Sequence, residues 1–320
     1  MKTQAIILFI VLATLFCCKK EQQQPNFKRS FYQSFSIIKE KYIKTNELNW
    51  VDIENNIKDS IPKFQNNNDV YNGIKYVLNQ INDKHSFFLP PDKTNFFLKD
   101  TVSIPKIDYK ILENDIGYIK ILGFAANDSL STIYSLKIRE ALKKVDNHPN
   151  LSGWIIDLRD NIGGKAGTFA LGLEPLYVNS IIGFSINNKG EYINHKLTSD
   201  TYYYGNHIIN TIKLTDTIRN ANKPIAVLVN EKTASLGEST AQSFKFQKNT
   251  LIYGTKTYGL TTDLQVFEFV SGARLAFSTS FMCDEEKNII KDGIVPDIHC
   301  ETEKSLELAI EDIKRLYKNF

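Results

Sequence analysis

At 320 residues the chain has room for one large domain or two modest ones, and its 42% apolar and 23% charged residues are those of a globular protein rather than a disordered one. A formal charge of +3, with both signs interspersed, gives no case for nucleic-acid binding, so partners must be argued from a site.

The chain begins with Lys2 and an apolar run from Ala5 to Phe16, followed at once by Cys17-Cys18. A basic start and a short apolar run predict an export signal, because the run is too short to span a bilayer comfortably. Its ending resembles a bacterial lipoprotein signal, with Cys18 as the acylated first residue. The expectation is a signal over 1–18, then a tether over 19–28 carrying a Lys pair, three Gln and a Pro, attached by lipid to the cell envelope. An uncleaved N-terminal anchor is the alternative. Only Cys283 and Cys300 remain for the folded part; they can form at most one disulfide and no zinc cluster.

From 29 to 100 the patterns are helical. Phe35, Ile38 and Tyr42 share a face; Val51 to Ile61 is weakly amphipathic and ends near Pro62; Ile74, Val77, Leu78 and Ile81 fall at offsets of zero, three, four and seven. Three short helices are expected, packed on the larger region C-terminal to them. Asn82-Asp83 ends the third, and Pro90-Pro91 stops any long continuation, so His85 lies at a junction.

A different pattern runs from 105 to 320. Strands are predicted at Ile116–Leu122, Gly153–Leu158, Pro224–Asn230 and Leu251–Tyr253, with helices at Ser131–Val145, Lys165–Leu173 and Ser239–Phe246 between them. This alternation predicts an α/β architecture. Leu264–Val270 and Arg274–Thr279 around Ser271-Gly272 read as a hairpin, and Glu301–Phe320 as a closing helix. There is no internal repeat.

Three stretches carry chemistry. In Val229-Asn230-Glu231-Lys232-Thr233-Ala234-Ser235-Leu236-Gly237-Glu238 a buried strand turns into a helix at Ser235. Such a turn can expose a nucleophilic hydroxyl beside the N–H groups of the helix start; serine there is equally a preferred N-cap. In Asp157-Leu158-Arg159-Asp160-Asn161-Ile162-Gly163-Gly164 two glycines after a strand allow a turn with accessible N–H groups, or simply a tight connection. The third is His85. A serine nucleophile needs a base near neutral pH, and histidine supplies one; among His85, His148, His195, His207 and His299 spacing alone does not choose.

Taken together, Asp83-Lys84-His85-Ser86, Gly153 through Gly164, Thr233 through Glu238, Gly254-Thr255-Lys256-Thr257-Tyr258-Gly259 and Gly293-Ile294-Val295-Pro296-Asp297 resemble, in order, the C-terminal-processing (tail-specific) proteases, the S41 serine peptidases. The resemblance implies a crotonase-like (ClpP/crotonase-type) spiral sheet-and-helix domain preceded by the small helical one. It implies Ser235 as nucleophile, an oxyanion hole from Gly163, Gly164 and Leu236, polypeptide substrates, and neither metal nor other cofactor. Members with a serine–lysine dyad carry the lysine just after Thr-Phe/Tyr-Gly; here that position is Leu260, and Lys256 matches another. The chain therefore resembles the branch of tricorn proteases and interphotoreceptor retinoid-binding proteins, which implies His85 as base. Asp292 is the first choice of carboxylate behind His85, with Glu286 and Glu238 as alternatives; Glu238 can equally fix the loop. Too few residues separate His85 from the strand near Gly117 for the PDZ domain common in the family. The competing expectations are a silent peptide- or apolar-ligand-binding protein, whose 20 Phe and 15 Tyr would line a groove, and a serine esterase.

Overall fold

The computed structural model describes residues 26–99, 102–213 and 217–317, so the export segment and most of the tether lie outside the described residues. Three capped helices open the chain. Helix α1 (Phe27–Lys41) starts at Asn26, whose side chain accepts from Arg29 N–H, and α2 (Trp50–Ile57) starts at Asn49 in the same way. Helix α3 (Asn67–Ile81) has a reciprocal capping box between Asn66 and Asp69, and it stops where Asn82 takes a left-handed conformation, φ 47°. The chain then enters strand β1 (Phe87–Leu89) and the short helix α4 (Pro91–Leu98).

The second region begins with β2 (Asp108–Leu112), β3 (Ile116–Lys120), α5 (Asp128–Asp146), β4 (Gly153–Asp157) and α6 (Thr168–Leu173). Four strands come next without a helix: β5 (Ile181–Asn187), β6 (Tyr192–Leu197), β7 (Thr201–Tyr204) and β8 (His207–Thr211). The chain continues through β9 (Ile225–Val229), α7 (Leu236–Lys245), β10 (Thr250–Gly254), β11 (Thr262–Glu268), β12 (Arg274–Cys283), β13 (Ile298–His299) and α8 (Ser305–Tyr317).

These elements form a mixed α/β fold with two sheets. The six-stranded sheet runs β13-β10-β9-β4-β3-β2 and is parallel except where β2 meets β3. Its central strands β4 and β9 are buried throughout, as unbroken apolar runs in a parallel sheet should be. Side chains alternate between two cores. Ile119, Trp154, Ile156, Val227 and Val229 pack with Tyr134, Ile138 and Leu142 of α5 and Phe244 of α7; Ile116, Ile155, Ala226 and Leu228 pack with Ala309 and Ile313 of α8.

The seven-stranded sheet runs β1-β12-β5-β6-β7-β8, with β11 also paired to β12, and its pairings are antiparallel. Strand β12 ties the two regions of the chain together. Its Leu275 and Phe277 lie in one core with Phe31, Phe35, Ile38, Ile74 and Val77 of α1 and α3, and its start pairs with β1. The helices of the first region are thus seated on the sheet of the second, and His85 enters just before the strand that joins them.

Cys283 and Cys300 are both free thiols, so the disulfide allowed by composition is not formed. Burial and the nearby Asp284 and Asp263 carboxylates push the Cys283 thiol up to about 11, which keeps it protonated and unreactive at neutral pH. No helix among the described residues is long and apolar enough to cross a membrane.

Candidate active site

Strand β9 ends at Val229, and a tight turn carries the chain to Ser235 at the head of α7. Asn230 organises the turn. Its amide donates to Thr233 Oγ1 at 3.0 Å, and its side-chain oxygen accepts from Asp160 N–H at 3.0 Å. Thr233 Oγ1 donates to the Leu158 carbonyl at 2.9 Å, and Ala234 N–H donates to the Asn161 carbonyl at 2.9 Å. The serine turn and the glycine turn after β4 are therefore one hydrogen-bonded unit.

Ser235 itself has φ 53° and ψ −117°. Positive φ costs a non-glycine residue on the order of 1–3 kcal/mol and persists only where the surroundings enforce it. Here Glu238 does so: its carboxylate accepts from Ser235 N–H at 2.8 Å, Thr257 Oγ1 at 2.6 Å, Gly259 N–H at 2.7 Å and Leu260 N–H at 2.8 Å. Burial pushes this carboxyl above the ordinary range, while the four donors pull it back.

The Ser235 hydroxyl meets His85 Nε2 at 2.9 Å, across 150 positions of sequence. On the other side of the ring, Nδ1 meets Thr262 Oγ1 at 2.8 Å, and Thr262 Oγ1 in turn meets Ser278 Oγ at 2.8 Å. The turn before β1 holds His85 in place. Asp83 accepts from His85 N–H at 3.1 Å and from the Ser86 hydroxyl, and Ser86 Oγ accepts from Ser278 N–H at 3.1 Å. Burial lowers the His85 pKa below its ordinary 6.5, against the opposing pull of the Asp83 and Asp263 carboxylates and a hydrogen bond at Thr262.

The carboxylate expected behind His85 is not there. Asp292 is exposed, at φ 58°, and its main chain packs against Gly259; Glu286 is exposed on the turn after β12; Glu238 is buried but spent on Ser235, Thr257, Gly259 and Leu260. A hydroxyl occupies the position instead. Thr262 was not a candidate because β-branched threonine at the start of a strand carries no catalytic signature in sequence. Lys256 is exposed, and Leu260 contributes only its backbone N–H to Glu238.

The expected oxyanion donors divide. Gly163 N–H donates to Asn161 Oδ1 at 2.9 Å and is committed. The N–H groups of Gly164 and Leu236 donate to no other group among the described residues, and Leu236 is the first residue of α7. Gly163 still shapes the site: at φ +101°, a Cβ added there would stand 2.9 Å from Ser235 Cβ and 3.1 Å from Leu236 N. Asp157 and Arg159 form the local pair allowed by their spacing, with Arg159 Nε 2.9 Å from Asp157 Oδ1 and Nη1 donating to the Thr302 carbonyl at 3.0 Å. That pair anchors the lead into α8. Among the described residues no group of His, Cys, Asp and Glu could hold a metal ion.

The arrangement can do acyl-transfer chemistry. A hydroxyl faces one ring nitrogen, the other ring nitrogen is held by a second hydroxyl, and the N–H groups of Gly164 and Leu236, next in sequence to Gly163 and Ser235, are unpaired among the described residues.

Known proteins share this architecture. The family model described as Peptidase family S41 matches residues 115–300. The chain is 26% identical over 275 residues to the nisin-resistance protein of Lactococcus lactis subsp. lactis, covering 86% of this chain and 83% of that protein. It is 32% identical over 187 residues to the chloroplastic carboxyl-terminal-processing peptidase 2 of Arabidopsis thaliana, covering 57% of this chain but only 31% of that protein. Among solved structures, a lipoprotein from Streptococcus agalactiae superposes with TM-score 0.76 at 20% identity, covering 97% of this chain and 99% of that one. The photosystem II D1 C-terminal processing protease does so with TM-score 0.61 at 14% identity, covering 91% and 97%.

Proposed function

Because this chain belongs to peptidase family S41 and is a serine peptidase, we propose that its nucleophile is Ser235 and its general base His85. The observation that carries this assignment is the 2.9 Å contact between Ser235 Oγ and His85 Nε2. The hydrogen bonds accommodate the tautomer that this role needs. With Thr262 donating to Ser278 Oγ, the Thr262 oxygen accepts from Nδ1–H and the Nε2 lone pair faces the serine, the arrangement that a general base requires.

In the first half-reaction Nε2 takes the Ser235 proton as Oγ bonds to the scissile carbonyl carbon. The carbonyl electrons move onto oxygen, where the Gly164 and Leu236 N–H groups receive them. The intermediate collapses, the C–N bond breaks, and Nε2–H protonates the leaving amine. Water then attacks the acyl-serine, gives a proton to Nε2, and the acid product leaves as Oγ is reprotonated. Ser235 makes this contact from a strained backbone, at φ 53°.

The domain reading is a catalytic unit over 105–320 of the crotonase-like spiral type, completed by His85 from the helical unit over 29–100. The substrate reading is a polypeptide met at the cell envelope. It is supported by the export-type segment ending at Cys17-Cys18, and by relatives whose names are a lipoprotein and a nisin-resistance protein. Nisin therefore belongs in the first substrate panel, beside unstructured polypeptides.

The deciding experiment is intact-mass spectrometry after exposure to a fluorophosphonate. One adduct should form on the wild-type protein and none on Ser235→Ala, while His85→Ala should react at least about a hundredfold more slowly. Lys256→Ala should react as wild type. An adduct persisting in Ser235→Ala, or full reactivity in His85→Ala, overturns the assignment.

A further inference from the structure

Behind Thr262 lies a second cluster of ionisable and hydroxyl groups that the acyl-transfer steps do not touch. Asp263 Oδ2 accepts from the Ser185 hydroxyl, from Tyr204 at 3.1 Å and from Ser280 at 3.0 Å. Ser185 Oγ also meets His195 Nε2 at 2.8 Å, and His195 Nδ1 meets the Tyr202 hydroxyl at 3.2 Å. Ser185, His195 and Ser280 are buried, and the Asp263 side chain keeps 19% of its surface. A serine, a histidine and an aspartate thus meet here, but the serine is wholly buried, so no peptide reaches it.

The strand geometry links this cluster to the catalytic ring. Thr262 and Asp263 are consecutive on β11, and a regular strand would point them to opposite faces. The register of β11 on β12 slips between Asp263 and Leu264, where Asp263 pairs Ser280 but Leu264 pairs Ser278. Two serines of β12 consequently hold two neighbours of β11: Ser278 holds Thr262, and Ser280 holds Asp263. Bulges are a common means of re-aiming side chains beside active sites.

The hydrogen bonds also bear on charge. The Ser185 proton goes to Asp263, so Ser185 accepts from His195 Nε2–H, and Nδ1 lies within hydrogen-bond distance of the Tyr202 hydroxyl. Among the described residues, the basic side chain that comes within ion-pairing distance of Asp263 is His195, at 3.7 Å. Although burial opposes ionisation, His195, Ser185 and Ser280 hold the Asp263 carboxyl below its ordinary range, so it is an anion at neutral pH.

We propose that Asp263 is the counter-charge of the catalytic histidine: a positioning residue that stabilises protonated His85 from behind Thr262, without touching the ring, where a triad would place a carboxylate on Nδ1. Thr262 fixes the ring and its tautomer, while Asp263 supplies the negative charge that a hydroxyl lacks. The charged groups facing His85 are Asp83 on its own turn and Asp263 on β11; Glu238 on α7 is held by its four donors, and Ser235, Thr262 and Ser278 are neutral. Asp83 also pulls the ring toward protonation, but it doubles as the anchor of the His85 backbone.

This inference rests on the Ser235–His85 assignment, and its test keeps the two apart. Fluorophosphonate inactivation and peptide hydrolysis are measured from pH 4.5 to 8.5 in Asp263→Asn, Asp263→Ser, His195→Gln, Ser280→Ala and the wild type, with folding checked by circular dichroism. Either Asp263 variant that folds should react roughly tenfold or more slowly at pH 7.5, and its acid midpoint should move down by about half a unit or more. His195→Gln and Ser280→Ala keep the charge and should keep the midpoint. An unmoved midpoint in the folded Asp263 variant overturns the proposal, as does an upward shift in His195→Gln, which would mean that His195 carries a cancelling charge. Wild-type labelling of Ser235→Ala and His85→Ala in the same series would instead sink the underlying assignment.

Discussion

A residue that takes no part in proton transfer sets what the serine can do. A methyl group at Gly163 would crowd Ser235 Cβ at 2.9 Å and the Ala234 carbonyl at 3.0 Å, on a backbone at φ +101°. Gly163→Ala is therefore expected to lose at least about 2 kcal/mol in urea unfolding and most of its fluorophosphonate reactivity, because the displaced atoms belong to the nucleophile turn itself. Wild-type reactivity in this variant would show that the turn tolerates movement. The imidazole gives a second prediction at this scale. Catalysis needs neutral His85, and burial keeps the ring neutral below the ordinary midpoint near 6.5. As pH falls through the usual imidazole range, kcat/KM should hold, and it should drop only at more acid pH. Stability carries the matching sign. Between the two midpoints the unfolded chain binds a proton that the folded chain does not, so stability rises with pH there, and is lost as pH falls from about 6.5 through the folded midpoint. A pH–rate limb centred at or above 6.5 would contradict the environment described for His85.

At the scale of elements, α7 and the segment 257–260 are coupled through one carboxylate. Glu238 receives four donors, three of them from Thr257, Gly259 and Leu260, two residues before Thr262. Glu238→Gln replaces acceptor lone pairs by N–H groups facing N–H groups. A loss of roughly 2–4 kcal/mol is expected, together with slower acylation as Thr262 loses its fixed approach to His85. Full stability with slow acylation, or the reverse, would separate roles that the geometry joins. The same elements show what was legible in the sequence. Apolar runs such as Trp154-Ile155-Ile156 and Ile225 to Val229 are forced to be central strands, and three-four spacing marked α1, α3 and α5. Strands β5 to β8 are not legible, because Tyr192-Ile193-Asn194-His195-Lys196-Leu197 mixes polar residues into both faces, and the inward His195 of β6 and Tyr202 of β7 carry polar groups. The proposed nucleophile and base and the two turns are legible in the sequence because each sits in a motif. The hydroxyl of Thr262 and the cradle of Asp263 could not, because they arise from a register slip between β11 and β12 that no local pattern encodes. Asp292 lies beside its motif but is exposed, whereas strand pairing puts Thr262 of β11 behind the imidazole.

At the scale of the whole molecule, the proposed catalytic pair requires two regions of the chain to be one body. His85 comes from the junction after α3, Ser235 from the head of α7, and a main connection between their regions runs through β12. Leu275 and Phe277 of that strand are almost wholly buried among Phe31, Phe35, Ile38 and Ile74, while the far end of β12 pairs with β5. Burying two such side chains contributes several kcal/mol, and that gain disappears if the helices detach. Partial unfolding of α1–α3 should therefore be too costly to occur alone, and the described regions should unfold together. The two tryptophans make this measurable. Trp50 lies in α2 against Phe35, and Trp154 lies in β4 under the α5 face, so single-tryptophan variants report on one region each. Urea transitions of Trp50→Phe and Trp154→Phe, each scaled to its own stability by far-ultraviolet circular dichroism, should coincide with the loss of secondary structure. In Phe277→Ala the shared core loses about 3–5 kcal/mol, and fluorophosphonate labelling should fall at urea concentrations where the Trp154 signal is still native-like. The cause is that His85 leaves with the helices while Ser235 stays on its turn. Labelling that persists until Trp154 unfolds would mean that β1 and the Asp83 turn hold His85 without the helices, and that the first region is an attachment rather than part of the catalytic body.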